Sequence, residues 1–141
     1  MTSSIEDRLS AIQKIKEGVD NSTIFQLLWY IEKLTDTALK AKEKLRSTKD
    51  LRSLMEAEIT ININLDDSVK ATNKKSSIDL AKSSNSEYSR LNTEYNDLKY
   101  LIEVIEDLIK IITLKYKLVE PAFHAHGVLT YKQLESEFKN R

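Results

Sequence analysis

The chain has no cysteine, one proline and two glycines among its 141 residues. Without cysteine it has no disulfide, no thiol nucleophile and no thiolate ligand for a metal. So little proline and glycine leaves few residues for hairpin turns, a phosphate-binding loop or a many-stranded sheet. An excess of one charge is also missing, because 22 Lys and Arg residues balance 22 Asp and Glu residues. This balance argues against a nucleic-acid-binding surface that covers the whole domain.

Long apolar runs are missing as well. The first 18 residues lack the apolar core of a signal peptide. The longest apolar region, residues 98–119, carries too many charges for a transmembrane segment, namely Lys99, Glu103, Glu106, Asp107, Lys110, Lys115 and Lys117. We therefore expect a soluble intracellular protein, cytoplasmic or nuclear. With 31% charged and 40% hydrophobic residues, the composition is typical of a single domain built from long helices.

Helical periodicity predicts two helices in the first half of the chain. Apolar residues at three- and four-residue steps predict a first helix over residues 4–19, which Gly18 is expected to end in a left-handed conformation. A second helix is predicted over 23–58, with its cap among Asp20, Asn21 and Ser22. Residues 59–86 are predicted to form a polar connector that is helical in part. Within it, residues 59–65 alternate like a strand, and continuation of the second helix is an equal alternative.

A third helix, predicted over residues 87–120, carries the strongest signal in the chain. Its apolar residues keep an unbroken 3-4 spacing, and a second apolar row joins them from Leu98 onward. The two rows form an arc of about 150°, which needs two or more neighbouring helices. Pro121 is expected to end this helix at Glu120. A short helix over 130–139 begins with the capping-box spacing of Thr130 and Gln133.

The two long helices are predicted to pair with each other. Antiparallel pairing brings Leu45 close to Leu98, and the seam of the second helix is weakest at Thr48 and Arg52. The predicted fold is all-α: an elongated antiparallel helical hairpin or coiled coil. A short N-terminal helix and a short C-terminal helix are expected to pack at its base.

No group of residues in the sequence points to catalysis or to a bound metal. His124 and His126 are too few for zinc, which takes at least three protein ligands. Asp66 and Asp67 lie in a polar loop that lacks the Gly and the terminal Glu of a calcium loop. A third set of polar residues is interpreted as a solvated helix face: Glu103, Glu106 and Asp107. We expect no enzymatic activity, no catalytic residue, no metal, no cofactor and no small-molecule substrate.

The predicted function is structural. The layout is of the kind seen in subunits of kinetochore, vesicle-tethering and transcription-coactivator complexes, so the expected partners are other helical or coiled-coil subunits of a hetero-oligomer. Phe25 and Trp29 are expected to anchor the interface, with burial against the first or last helix as the alternative. The predicted interface residues are Phe25, Trp29, Ile31, Leu98, Ile102, Ile105, Ile109, Ile112, Tyr116, Leu134 and Phe138.

Two other functions stay open at this point. A homodimeric coiled-coil adaptor or chaperone would use the same seams on a second copy of the chain. A small nucleic-acid- or membrane-surface-binding module would use the basic run from Lys40 to Lys49. Nucleic acid is the less expected partner, because acidic residues that follow the run dilute its charge.

Overall fold

The computed structural model describes residues 2–19, 22–127 and 129–139. Over these residues it contains five α-helices and no strand: α1 (Thr2–Gly18), α2 (Ile24–Asn64), α3 (Lys74–Ser84), α4 (Ser86–His126) and α5 (Tyr131–Lys139). The long helices α2 and α4 pack against each other as a hairpin, with short helices at the N- and C-terminal ends. The prediction of an all-α hairpin is therefore confirmed. The chain divides into two compact units, residues 1–41 with 100–141, and residues 42–99.

The core of the hairpin is the predicted pair of apolar seams. Buried α2 positions recur at three-, four- and seven-residue steps from Ile24 to Thr48, and Ile59 is buried further along; the buried residues of α4 include members of both of its predicted rows. Each buried Leu, Ile or Val side chain contributes about 1.5–3 kcal/mol by leaving water. The buried residues of the two helices are Ile24, Leu27, Leu34, Ala38, Ala41, Thr48 and Ile59, and Leu91, Leu98, Leu101, Ile102, Ile105, Leu108, Ile112 and Val119.

The weak point of the α2 seam is filled by polar contacts, which we call the polar layer (Thr48, Arg52, Asn92 and Tyr95). Thr48 is buried, and Arg52 Nη1 donates a hydrogen bond to Asn92 Oδ1 at 2.9 Å. The Arg52 guanidinium carbon lies 4.1 Å from the centroid of the Tyr95 ring. Its cation is thus paired with an acceptor and with an aromatic face. The hydrogen bond between Arg52 and Asn92 has nearly the same antiparallel register as the predicted pairing of Leu45 with Leu98.

Helix α2 continues through the segment whose alternation is typical of a strand. The main-chain N–H of Leu65 donates to the carbonyl of Ile61 at 3.0 Å, which closes the last helical turn. Ile59 is buried on the seam. Among the described residues no strand is present to pair with this segment, and a lone strand would leave its backbone groups without partners. The strand alternative is therefore wrong.

The connector after α2 is ordered by local polar contacts. The Asp66 carboxylate accepts hydrogen bonds from the Ser68 N–H at 3.0 Å and the Ser68 hydroxyl at 2.6 Å. The Lys74 ammonium donates to the main-chain carbonyls of residues 63, 64 and 66 at 2.9–3.0 Å, so it caps the end of α2. Lys82 Nζ lies 2.7 Å from Glu56 Oε1 and ties α3 to α2. The connector is thus helical in part, over α3 and a 3-10 turn at 71–73.

The predicted left-handed conformation of Gly18 is wrong. Among the described residues, positive φ occurs at Gly127 alone. The end of α1 is satisfied in another way, because the Ser22 hydroxyl donates to the Gly18 carbonyl at 2.8 Å and the Ser22 N–H to the Val19 carbonyl at 3.1 Å. With these partners the carbonyls need no left-handed residue.

The predicted end of the third helix at Glu120 is wrong as well. Pro121 lies inside α4, which continues to His126. Proline removes one N–H but keeps a helical φ, and packing beyond it offsets that loss. The Phe123 ring contacts Phe25 of α2 in a T-shaped arrangement, with centroids 5.4 Å apart. The chain turns at Gly127 instead, where φ is 86° and the N–H donates to the Phe123 carbonyl at 2.9 Å.

The predicted capping box of the last helix is confirmed. The Thr130 N–H donates to Gln133 Oε1 at 3.0 Å, and the Gln133 N–H donates to Thr130 Oγ1 at 3.1 Å. Thr130 also forms an antiparallel bridge with Thr23, and the Tyr131 N–H donates to the Ser22 carbonyl at 3.3 Å. The starts of α2 and α5 are therefore joined.

The prediction that Ser22 caps the second helix is wrong, because Thr23 is the N-cap residue. The Thr23 N–H donates to Gln26 Oε1 at 2.9 Å, and the Gln26 N–H donates to Thr23 Oγ1 at 3.4 Å. This is a second capping box with the same spacing as the one in α5. The other proposed caps, Asp20 and Asn21, lie outside the described residues.

Candidate protein-interaction surface

The predicted interface residues separate by their exposure. Those buried within this chain form its own core or pack α5 onto it: Leu98, Ile102, Ile105, Ile112 and Leu134. Three more are half-buried: Ile31, Ile109 and Tyr116. The exposed members are Phe25, Trp29 and Phe138. Because an exposed apolar side chain still has its hydration to lose, these three support the interface hypothesis better than the buried ones.

The start of α2 exposes a patch that we call the aromatic patch (Phe25, Leu28 and Trp29). Phe25 is 61% exposed, Leu28 43% and Trp29 52%. Their spacing of three and four residues places them on one side of the helix. The alternative prediction, that Phe25 and Trp29 are buried against the first or last helix, is therefore wrong.

Neighbouring rings hold the aromatic patch in place. Phe25 meets Phe123 edge to face at an interplanar angle of 84°. Trp29 meets Tyr30 at 68° with ring centroids 5.4 Å apart, and Lys33 Nζ lies 5.8 Å from the Trp29 ring. Aromatic pairs prefer such geometries. Both exposed rings thus have a defined orientation before any partner arrives, which lowers the entropy cost of binding.

A second exposed surface lies along α4, and we call it the apolar stripe (Tyr100, Val104, Ile111, Leu114 and Leu118). Leu114 is 67% exposed and Tyr100 59%, while Ile111 and Leu118 are 42% and 41% exposed. Part of the stripe belongs to the wide apolar arc of the third predicted helix, which was expected to be covered by two or more neighbouring helices. The sequence reasoning missed Leu114, although its 3-4 spacing with Ile111 and Leu118 was a detectable signal.

Each end of the apolar stripe opens into a groove. The first groove, of about 360 Å³, lies between α1 and α4, where Leu9, Ile12 and Lys16 face Val104, Asp107 and Ile111. The second, of about 390 Å³, lies between α4 and α5, where Lys117, Leu118 and Pro121 face Leu134, Glu137 and Phe138. Both grooves therefore have apolar floors with one cation and one anion on their walls.

The histidine pair has little around it to hold a metal. His124 is exposed, and its Nε2 lies 3.9 Å from Glu120 Oε1. The side chain of His126 is outside the described part of the chain. No three potential ligands come together among the described residues. The Asp66 carboxylate, which was not assigned to a calcium loop from the sequence, accepts both of its hydrogen bonds from Ser68.

The basic run of α2 is partly neutralised by carboxylates. Lys40 Nζ lies 3.1 Å from Asp36 Oδ2, and Lys44 Nζ lies 3.3 Å from Glu94 Oε1. These ion pairs lower the positive potential that a phosphate surface would need. Over the described residues, no helix has both the length and the apolar character to cross a bilayer.

Comparison of the chain with protein-family models, curated proteins and solved structures finds no match. A functional conclusion therefore depends on the surfaces of this molecule. The described residues thus form a helical hairpin that leaves the aromatic patch exposed to solvent.

Proposed function

We propose that this chain is a non-enzymatic structural subunit of a hetero-oligomeric helical complex, and that the aromatic patch anchors it to a partner subunit. The observation that carries this proposal is the exposure of Phe25 and Trp29, each more than half exposed and each held edge to face by another ring. Aromatic residues with this combination of exposure and rigidity are typical anchors of protein interfaces.

The energy available at the aromatic patch supports a specific interface. A Phe or Trp side chain carries roughly 150–250 Å² of surface, so half of one ring offers about 100 Å² for burial. At about 25 cal/mol per Å², each ring would contribute about 2.5 kcal/mol on binding. Two such anchors and Leu28 supply the centre of a moderate-affinity interface.

The partner that fits this patch is another helix with an apolar face. The patch is narrow and runs along one side of α2, and exposed polar residues such as Glu32 and Lys33 follow it along the helix. This apolar centre with polar flanks matches helix-on-helix recognition. Subunits of kinetochore-, tethering- or coactivator-type assemblies have the helical character expected of such a partner.

The test expresses three affinity-tagged forms of the full chain in cells of the source organism and compares the proteins that co-purify with each form. They are the wild type, the double variant Phe25→Ala/Trp29→Ala, and the control Leu54→Ala. Leu54 is 68% exposed on the unit of residues 42–99, so the control removes an exposed apolar side chain that lies outside the aromatic patch. Proteins retained by the wild type and the control but lost from the double variant are then purified and titrated by calorimetry.

We expect the double variant to weaken binding of the purified partner by about 30-fold for each of the two rings removed, which corresponds to about 2 kcal/mol per ring. Circular dichroism should show unchanged helix content, because both side chains are largely exposed. Equal affinity of the wild type and the double variant for every purified partner would contradict the proposal.

A further inference from the structure

We propose that the apolar stripe of α4 binds a second copy of this chain in an antiparallel, two-fold arrangement. This inference uses a different surface from the aromatic patch and stands apart from the proposed function. Three of its members, Ile111, Leu114 and Leu118, are 41–67% exposed and follow the 3-4 spacing of a helix-packing seam. From Tyr100 to Leu118 the stripe is about 27 Å long at 1.5 Å per residue.

A carboxylate within the stripe and a lysine on one of its flanks argue for a second copy as the occupant. Asp107 lines the groove at the N-terminal end of the stripe, and Lys117 lines the groove at its C-terminal end. Both are exposed and lie about 15 Å apart along the helix axis. An antiparallel second copy centred near Ile112 places Lys117 of one chain beside Asp107 of the other, twice.

The other flank has the same complementarity with residues from the short helices. Lys16 of α1 lines the first groove, and Glu137 of α5 lines the second. The antiparallel arrangement brings the first groove of one chain to the second groove of the other, so Lys16 meets Glu137. A parallel arrangement would instead bring each cation towards a cation and each anion towards an anion.

The apolar side chains also match in the antiparallel register. Ile111 of one chain lies opposite Leu114 of the other near the two-fold axis, and Val104 lies opposite the other chain at Pro121. A two-fold interface uses the same patch on both chains, as this self-complementary pattern requires. Lys110 lies near the axis opposite apolar residues of the other chain, and its exposed side chain can extend into solvent.

The first test is sedimentation equilibrium of the purified full chain. We expect a dimer at micromolar concentration, and loss of the dimer by at least 100-fold in Kd for Leu114→Glu. The matched control Leu54→Glu changes an equally exposed leucine, 68% against 67%, and should leave the dimer intact. A chain that stays monomeric up to about 100 μM, or a dimer that Leu114→Glu does not weaken, would overturn the inference.

The second test reverses the charges. Asp107→Lys alone places two lysines together, and Lys117→Asp alone places two aspartates together, so each variant should dimerise at least ten-fold more weakly. A mixture of the two variants should form a heterodimer with nearly wild-type affinity, because every pair is then complementary. Failure of the mixture to restore the dimer would overturn the antiparallel arrangement.

The aromatic patch gives the means to distinguish this inference from the proposed function. Phe25→Ala/Trp29→Ala should leave self-association unchanged, since those residues lie outside the stripe. A dimer lost in that double variant, but kept in Leu114→Glu, would assign self-association to the aromatic patch and refute the role of the stripe.

Discussion

Arg52 is the charged residue of the polar layer, which interrupts the apolar seam of α2. Its replacement by alanine measures how much this layer contributes to the packing of α2 on α4 within residues 42–99. The substitution removes the hydrogen bond to Asn92, the contact of the guanidinium with the Tyr95 ring, and the packing of the side-chain stem. All three effects act in the same direction, so we expect the free energy of unfolding to fall.

The magnitude follows from these contacts. A hydrogen bond from a charged donor is worth about 1.5–3 kcal/mol, and a cation–π contact about 0.5–2 kcal/mol. Arg52 and Asn92 are both half-buried, so water can replace part of the lost interaction and the lower ends of these ranges apply. We expect Arg52→Ala to cost about 2–2.5 kcal/mol, which lowers the melting temperature by roughly 4–10 °C.

Urea denaturation followed by circular dichroism at the helical band measures this change. Arg46→Ala is the matched control, because Arg46 is an exposed arginine of the same helix and should change stability by less than about 0.5 kcal/mol. A double-mutant cycle of Arg52→Ala with Asn92→Ala should give a coupling of about 1 kcal/mol. Additive effects of those two changes, or a cost of Arg52→Ala equal to that of the control, would refute the reasoning.

Two further predictions concern the helix ends and the connector. Thr130→Ala removes the hydroxyl that accepts the Gln133 N–H, so hydrogen exchange of α5 amides should accelerate about five-fold, for a loss of about 1 kcal/mol; an unchanged rate would contradict the capping role. Hydrogen bonds from the Ser68 hydroxyl, and then from its N–H, lower the pKa of Asp66, so this carboxylate stabilises the turn above the ordinary aspartate pKa and loses that effect as pH falls through the lowered value. In an NMR titration Ser68→Ala should raise the Asp66 pKa towards the ordinary value, and an unchanged Asp66 pKa would show that the hydroxyl does not matter.

Much of the fold is predictable because it depends on local spacing. The 3-4 recurrence of apolar residues decides which side chains share a face, and a pair of such faces is satisfied by a hairpin. The capping box of Thr130 and Gln133 is equally local, since both hydrogen bonds form within one turn. The same spacing at Thr23 and Gln26 was present in the sequence and indicates that α2 begins there.

The candidate surfaces were less predictable, because exposure depends on how many helices arrive to cover a face. The periodicity of α4 marks a wide apolar arc, but only the packed chain decides that Leu114 stays open while Ile105 is buried. In the same way, the sequence marks Phe25 as apolar, but only the packed chain decides that Phe123 covers one side of it and that it stays 61% exposed.

By itself the sequence determined that this protein is helical, without disulfides, and organised around two long helices that pair. Tertiary structure decided where those helices end and which apolar faces remain open. Residues 59–64 join α2 because no strand is available to them among the described residues, and α4 passes Pro121 because Phe123 packs beyond it. The physical reason is that local periodicity is a property of neighbours along the chain, whereas burial is a property of neighbours in space.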